Sequence, residues 1–558
     1  MFRCALIPRS VALWSCVTLG VAACSPAPPE TPPSSEVSPS SDAPSPDGAR
    51  LVLLIVVDRL AAEDLKRFET LFQGGLRRLL DEGVSFVNAQ QAHAVTATAP
   101  GHATLTTGVR PRRHGIIGNG WFDQEAGRQV TAVSDREVGQ SPRRLLVPTL
   151  GDWLKQQYPT AKVFGASPKD RAAIFLAGFE ADGAIWYDAV RGDWTSSAYY
   201  QHEDLEWLRT LNEQRPLDAY LGTVWEPLPI DEGTLEAMEI EDVDLGPLEE
   251  TFPHPLGSLA LTPNAAFYSD LFRSPWIDLH LARLAEHLIE GEDLGGDAVP
   301  DLLALGFSAL DTVGHGYGPN SREVLDTLLR VDRTLGQLFE FVDQRIGLDR
   351  VVIGLSADHG VVPVPEFQAL YGRPGKRVAA EGIVCLQRVN EHLSERFGAA
   401  RWILPGPFLD QKALERAGVD REAIEHEAAR WLSACPSVER AWTRTELLSD
   451  TPDADPVHQL FINNFHPDRS PDFLVQFDEY FVSTLGAAAS HGSAWPYDTW
   501  VPFIIRAIGL EPAVADQPVR TVDMAPTLAT LAGIAVPDGL DGVDLFGLRT
   551  DADGRIAP

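Results

Sequence analysis

The sequence predicts an α/β domain built on a mainly parallel sheet, and three observations carry that prediction. "LVLLIVVD" at 51–58 is a continuous apolar run rich in β-branched residues, the pattern of a strand buried on both faces. "DLLALGFSALD" at 301–311 and "RVVIGLSADHG" at 350–360 repeat the pattern, and "AKVFGAS" at 161–167 is a weaker copy. Helical stretches separate these runs, such as "REVLDTLLRVDRTLGQLFEFVDQRI" at 322–346. Strand, helix and strand in alternation argue for parallel order. Finally, three of the runs close on an acid: Asp58, Asp311 and Asp358. Open parallel sheets build their sites at the carboxyl ends of strands. A lone Asp there is commonly a cap. Three of them, two with a histidine close by, point to a site.

The chain has 558 residues, 44% of them hydrophobic, and a formal net charge of -33. It is long enough to bury a sizeable core. The acidity excludes a general nucleic-acid or anionic-membrane surface, since both need basic patches. An anionic substrate therefore requires a local island of positive charge, from metal ions or a few placed cations.

The N-terminus reads as a targeting segment over 1–23. Arg3 and Arg9 are followed by an apolar stretch from Val11 to Ala23, and "VAAC" ends at Cys24. Small residues before a cysteine resemble a bacterial lipobox; an ordinary cleaved signal peptide is the alternative. The apolar run is too short for a membrane-spanning helix. Residues 24–49 are Pro/Ser-rich and acidic, a composition expected to form a disordered spacer. Together they predict an extracytoplasmic bacterial protein, periplasmic or at the outer membrane, touching a membrane only through an N-terminal lipid. Cys385 and Cys435 are the cysteines left in the mature domain. They predict either one disulfide or two buried thiols. The catalytic domain is expected over 50–548, with insertions at about 190–270 and 365–480 covering the sheet's active edge, and a tail at 549–558.

The chemistry-bearing motifs lie between and after the strands. "DTVGH" places Asp311 and His315 four apart, and Gly314 and Gly316 predict a loop there. "DHG" sets Asp358 beside His359, and "SHGS" carries His491. Carboxylates and neutral imidazoles suit zinc, and this many suit two ions. "VTATAPGHATLTTG" at 95–108 is dense in threonine. Such hydroxyls usually mean a capped helix start, so the question is whether one of them is a nucleophile. Thr104, Thr106 and Thr107 are expected inside the following helix, and His102 is expected to support its start.

"IVVD", "TAPGHATLTTG", "HGIIGNGWFD", "SPKDRAAI", "SALDTVGHGYGP", "SADHG" and "ASHGS" occur in this order. The set resembles the alkaline phosphatase superfamily. Within it, the chain is most similar to the phosphate-irrepressible alkaline phosphatases, which are related to the nucleotide pyrophosphatase/phosphodiesterases. The resemblance runs from about Leu51 to Leu545. It implies a three-layer sandwich and two Zn2+ ions. One ion would be held by Asp311, His315 and His491, the other by Asp58, Asp358, His359 and the oxygen of Thr98. It picks Thr98 as nucleophile, because that residue precedes the "x-P-G-H" pattern. It further implies Asn119, Lys169 and Arg171 as phosphate-binding groups of the monoesterase branch. Lys169 and Arg171, two apart, would point the same way on an extended segment. Arg grips phosphate oxygens with a fork of donors, and Lys acts as a point charge. The expected activity is hydrolysis of small phosphate monoesters through a phosphothreonine; a phosphodiesterase with the same metals is the rival.

Overall fold

The structure, a computed structural model, describes residues 48–557 apart from 201–204, 241–250, 258–259, 378–380, 399–400, 450–454, 483–486, 548 and 551–555. The expected leader at 1–23 and nearly all of the spacer at 24–49 lie outside the described residues.

The largest sheet contains β1 (Leu51–Val57), β2 (Val84–Phe86), β3 (Val163–Ser167), β4 (Gly183–Asp188), β5 (Asp193–Thr195), β6 (Asp301–Phe307), β7 (Val351–Ser356), β8 (Phe503–Arg506) and β9 (Ala513–Ala515). Their spatial order is β5-β4-β3-β6-β1-β7-β8-β2-β9. From β4 through β7 every neighbouring pair is parallel. β8 runs antiparallel to both β7 and β2, and β5 closes the far edge antiparallel to β4. The four apolar runs singled out in the sequence are β3, β6, β1 and β7, contiguous at the centre of the sheet.

Burial on both faces explains their composition. Along β1, Leu51, Leu53, Ile55 and Val57 enter one core cluster, while Val52, Leu54 and Val56 enter another. This is the two-residue period of a strand, with apolar neighbours on each side. The first cluster takes Leu281 and Leu284 from the Trp276–Gly291 helix and Leu335 and Phe339 from Arg322–Arg345. The second takes Trp153 and Leu154 from Leu150–Gln157 and Leu528 from Met524–Leu531. Helices on both faces of one sheet make three layers.

The two interrupting segments differ in kind. Residues around 190–270 supply β5, and their Trp194, Leu208, Trp225 and Phe267 pack into the main core. Residues around 365–480 hold a cluster of their own, including Val389, Leu393, Trp402, Ile424 and Phe473. There Val438–Thr443 pairs antiparallel with Phe473–Phe477, and Cys385 is joined to Cys435 by a disulfide. Among the described residues no helix is long and apolar enough to cross a membrane.

Candidate active site

The carboxyl ends of β1, β6 and β7 deliver the acids. Asp58 directly follows β1, and Asp358 lies two residues past β7. Asp311 arrives differently from the sequence expectation. The segment around Gly314 and Gly316 is not a loop: Ala309–Tyr317 is a helix, with Asp311 in its first turn and His315 in its last. Their spacing of four puts both on one helix face. Gly314 is required by close packing, since a Cβ there would lie 2.6 Å from Arg59 Nε. The buried Asp278 carboxylate anchors the start of this helix, accepting from Ser308 N at 2.8 Å and Ala309 N at 3.0 Å.

Thr98 opens the Thr98–Thr107 helix, whose N-cap, Ala97, has no capping side chain. The Asn119 side chain does that work, its Oδ1 accepting from Ala99 N at 2.8 Å. With the oxygen so engaged, the other hydrogen-bonding group of the Asn119 side chain is its NH2 donor. The neighbouring threonine hydroxyls have structural partners. Thr96 donates to Ser493 O at 2.8 Å, Thr106 to Phe175 O at 2.8 Å and Thr107 to Ala103 O at 2.7 Å. Thr104 Oγ1 lies 3.1 Å from His114 Nε2. Thr98 Oγ1 instead meets Arg171 Nη2 at 3.4 Å. Gly101 of the "PGH" motif seats this helix on the acid behind it: a Cβ would come within 2.4 Å of Asp358 O.

Lys169 and Arg171 reach the site, though not from an extended segment. Lys169 is the N-cap of the Asp170–Ala177 helix, and Arg171 lies in its first turn. Lys169 Nζ sits 2.6 Å from both Asp58 Oδ2 and Asp311 Oδ2, tying the two carboxylates together. Burial acts to lower its pKa, and the charges of Asp311 and Asp58 override it to a net rise.

Two groups of side chains can hold a metal ion: Asp311, His315 and His491, and Asp58, Asp311 and His359. Asp311 belongs to both. Asp358 stands beside the second, its Oδ2 3.4 Å from His359 Nε2 while its Oδ1 accepts from Arg59 N. The imidazoles are oriented from behind: His315 Nδ1 lies 2.9 Å from Ala489 O, His491 Nδ1 2.8 Å from Thr96 O, and His359 Nδ1 2.9 Å from Gly360 O. Each Nε2 is thereby presented as a ligand atom. Asp58 Oδ1, Asp311 Oδ1, Asp358 Oδ2 and His359 Nε2 are buried without a hydrogen-bond partner. Buried polar atoms are nearly always paired, so four orphans of metal-ligating type facing one another fit a cation. Burial pushes Asp58 up to about 6, helped by the charge of Asp358. Burial, then the His359 charge, holds His491 well below the ordinary histidine value, which keeps it neutral as a ligand must be.

Sequence reasoning assigned His102 only to the helix start. Its Nδ1 is indeed 2.8 Å from Thr98 O, but it also lies 3.3 Å from Asp358 Oδ2. Asp278 was not singled out at all. A single Asp in the apolar stretch "WIDLHL" gives no signal beyond its unexpected polarity.

Residues 52–493 match the family model of type I phosphodiesterase/nucleotide pyrophosphatase, and the chain belongs to that family. Within it the chain is similar to alkaline phosphatases. It is 31% identical to alkaline phosphatase PhoV of Synechococcus elongatus over 94% of this chain and 98% of that one. It is 30% identical to alkaline phosphatase PafA of Elizabethkingia meningoseptica over 88% and 93%. The crystal structure of wild-type PafA superposes with a TM-score of 0.79 at 29% identity, covering 89% of this chain and 98% of that one. The chain is a phosphoric ester hydrolase of α/β fold, with a mainly parallel central sheet.

Proposed function

We propose that the chain hydrolyses small phosphate monoesters with Thr98 as nucleophile and two zinc ions in the Asp/His cluster. The observation that carries this reading is the meeting of Arg171 with the Thr98 hydroxyl, beside the four orphaned ligand atoms. Asp311, His315 and His491 would hold one ion, and Asp58, Asp358, His359 and Thr98 the other. Bound zinc supplies Lewis acidity, which lowers the pKa of a hydroxyl and stabilises charge on a leaving oxygen.

The chain's own groups do the rest. Arg171 offers its fork and Asn119 its NH2 to the phosphoryl oxygens, and Lys169 adds positive charge at the junction of Asp58 and Asp311. The helix beginning at Thr98 directs its N-terminal dipole at the incoming anion. Thr98 Oγ1 attacks phosphorus as the ester oxygen departs, giving a phosphothreonine. Water then cleaves that P–O bond, releasing inorganic phosphate and restoring the hydroxyl. A free threonine hydroxyl is too weak a nucleophile for this without activation.

A second reading, phosphodiester hydrolysis by the same groups, is favoured by the family model. The two are separated by kcat/KM for an aryl phosphate monoester against the matching diester at mildly alkaline pH. A large monoester preference supports the first reading, and a diester preference replaces it with the second. The Cys385–Cys435 disulfide supports an oxidising, extracytoplasmic location, with phosphate scavenging as the role. Activity confined to the cytoplasmic fraction of the producing cell would overturn that placement.

A further inference from the structure

From the segment around 365–480, the Pro456–Asn464 helix reaches the site, its last residues buried and hydrogen-bonded to the loop that leads to Thr98. Asn464 is 1% exposed. Its Oδ1 accepts from Val95 N at 3.1 Å, and its Nδ2 donates to Ile117 O at 3.3 Å. Val95 is three residues before Thr98, and Ile117 is two before Asn119. The adjoining contacts reinforce the seat: Asn463 Nδ2 donates to Ala92 O at 2.7 Å, and Ala94 N to Leu460 O at 3.2 Å. Ala94 and Ala494 also share a small core cluster with Phe461 and Ile462 of this helix. The bond from Ala99 N to Asn119 Oδ1 joins the two loops a second time, at the site itself.

We infer that Asn464 is a positioning residue for catalysis, setting the loop of Thr98 against the loop of Asn119. The inference rests on the reading of Thr98 and Asn119 given above. An amide side chain is suited to the task because it offers an acceptor and a donor together. Here it meets the part-buried backbone N–H of Val95 and the buried backbone C=O of Ile117, each costly to leave unpaired. Aspartate, of the same shape, keeps the acceptor and sets an oxygen against Ile117 O. Two loops held by a bridging side chain fix the spacing between the nucleophile and a phosphate-binding amide. Errors of about 1 Å in such spacing cost roughly 10²-fold in rate.

The test is a double-mutant cycle in the zinc-loaded enzyme, with kcat, KM and the inhibition constant of inorganic phosphate as readouts. Asn464→Asp is expected to lower kcat about 10- to 100-fold and to weaken phosphate inhibition, with zinc content unchanged. In an Asn119→Ala background the same substitution should cost several-fold less, because the group it positions is already gone. Asn464→Ser, which removes the bridge without adding charge, should show the same non-additivity and serves if the aspartate variant does not fold. Full additivity with Asn119→Ala, or an unchanged kcat and phosphate inhibition in both variants, overturns the inference. Thr98→Ala separates the two levels. If it retains turnover, the reading of the site fails. If it is inactive while the Asn464 variants behave as wild type, only the positioning role fails.

Discussion

The two ends of β6 carry one aspartate each, and they are used in opposite ways. Asp301, at the amino end, is saturated: its oxygens accept from Lys162 N at 2.7 Å and Gly295 N at 2.8 Å. Asp311, one helical turn past the carboxyl end, keeps a buried oxygen with no hydrogen-bond partner and faces Lys169, His315 and His491. Both are buried acids on the same strand and its continuation. A satisfied carboxylate stitches neighbouring strands together. An orphaned one among imidazoles has the chemistry of a metal ligand. The parallel sheet makes this division systematic, because all its strand carboxyl ends open on one edge.

Substitutions at the site and at the amino end of β6 should therefore separate catalysis from stability. The largest effect is expected for Thr98→Ala, a loss of turnover of roughly 10³-fold or more with the metal retained. Single-turnover assay together with elemental analysis checks both halves. Asp311→Asn should follow, because it weakens a group shared by both ligand clusters. Zinc content after dialysis should fall, with activity down roughly 10²-fold and partly regained at high zinc. Wild-type zinc content in that variant would break the comparison outright.

Arg171→Ala should lower kcat/KM for an aryl phosphate monoester by roughly 10- to 100-fold, the scale of one charge-assisted hydrogen bond. The diester should lose less, since it presents less charge. Equal losses on both substrates would remove Arg171 as the source of any monoester preference.

The smallest effect is expected at the amino end. Burial pushes Asp301 up to about 6, against the pull of its two backbone donors and Lys162. A folded pKa above the unfolded value means that this residue's contribution to stability is full below about 4. It is then lost as pH rises through about 6. Asp301→Asn should leave kcat unchanged, and its stability relative to wild type should rise as pH increases from about 4 to about 6. That rise comes on top of a fixed loss, because the amide NH2 now faces one of the two backbone N–H donors. Urea midpoints across that range would show it. A fall in kcat would mean that the two ends of β6 are not functionally separate.

Much of this was legible in the chain. The four central strands announce themselves because burial on both faces demands unbroken apolar runs, and β1, β3, β6 and β7 meet that demand. Thr98, His359 and His491 stand in motifs whose order is informative without any fold. Other elements escaped for physical reasons. The Ala309–Tyr317 helix was obscured by Gly314 and Gly316, residues that weaken a helix in isolation; at Gly314, close packing of Arg59 leaves no room for a Cβ. The extended geometry expected for Lys169 and Arg171 gave way to a helix start, and both side chains are long enough to reach the site regardless. Asn464 and Asp278 carry no local signal, since their partners lie hundreds of residues or a whole strand away.

The sequence by itself determined the class of fold and supplied the acids and imidazoles that the structure gathers; it marked Thr98 among several threonines only through a family resemblance. Periodicity and residue chemistry are local properties, readable along the chain. The tertiary structure alone decided which atoms face one another: Asp311 shared between two ligand groups, Lys169 between two carboxylates, Asn464 between two loops. Those arrangements depend on backbone segments distant in sequence being packed to within a few ångströms. Only the folded core, with its interior packed as densely as a solid, holds them there.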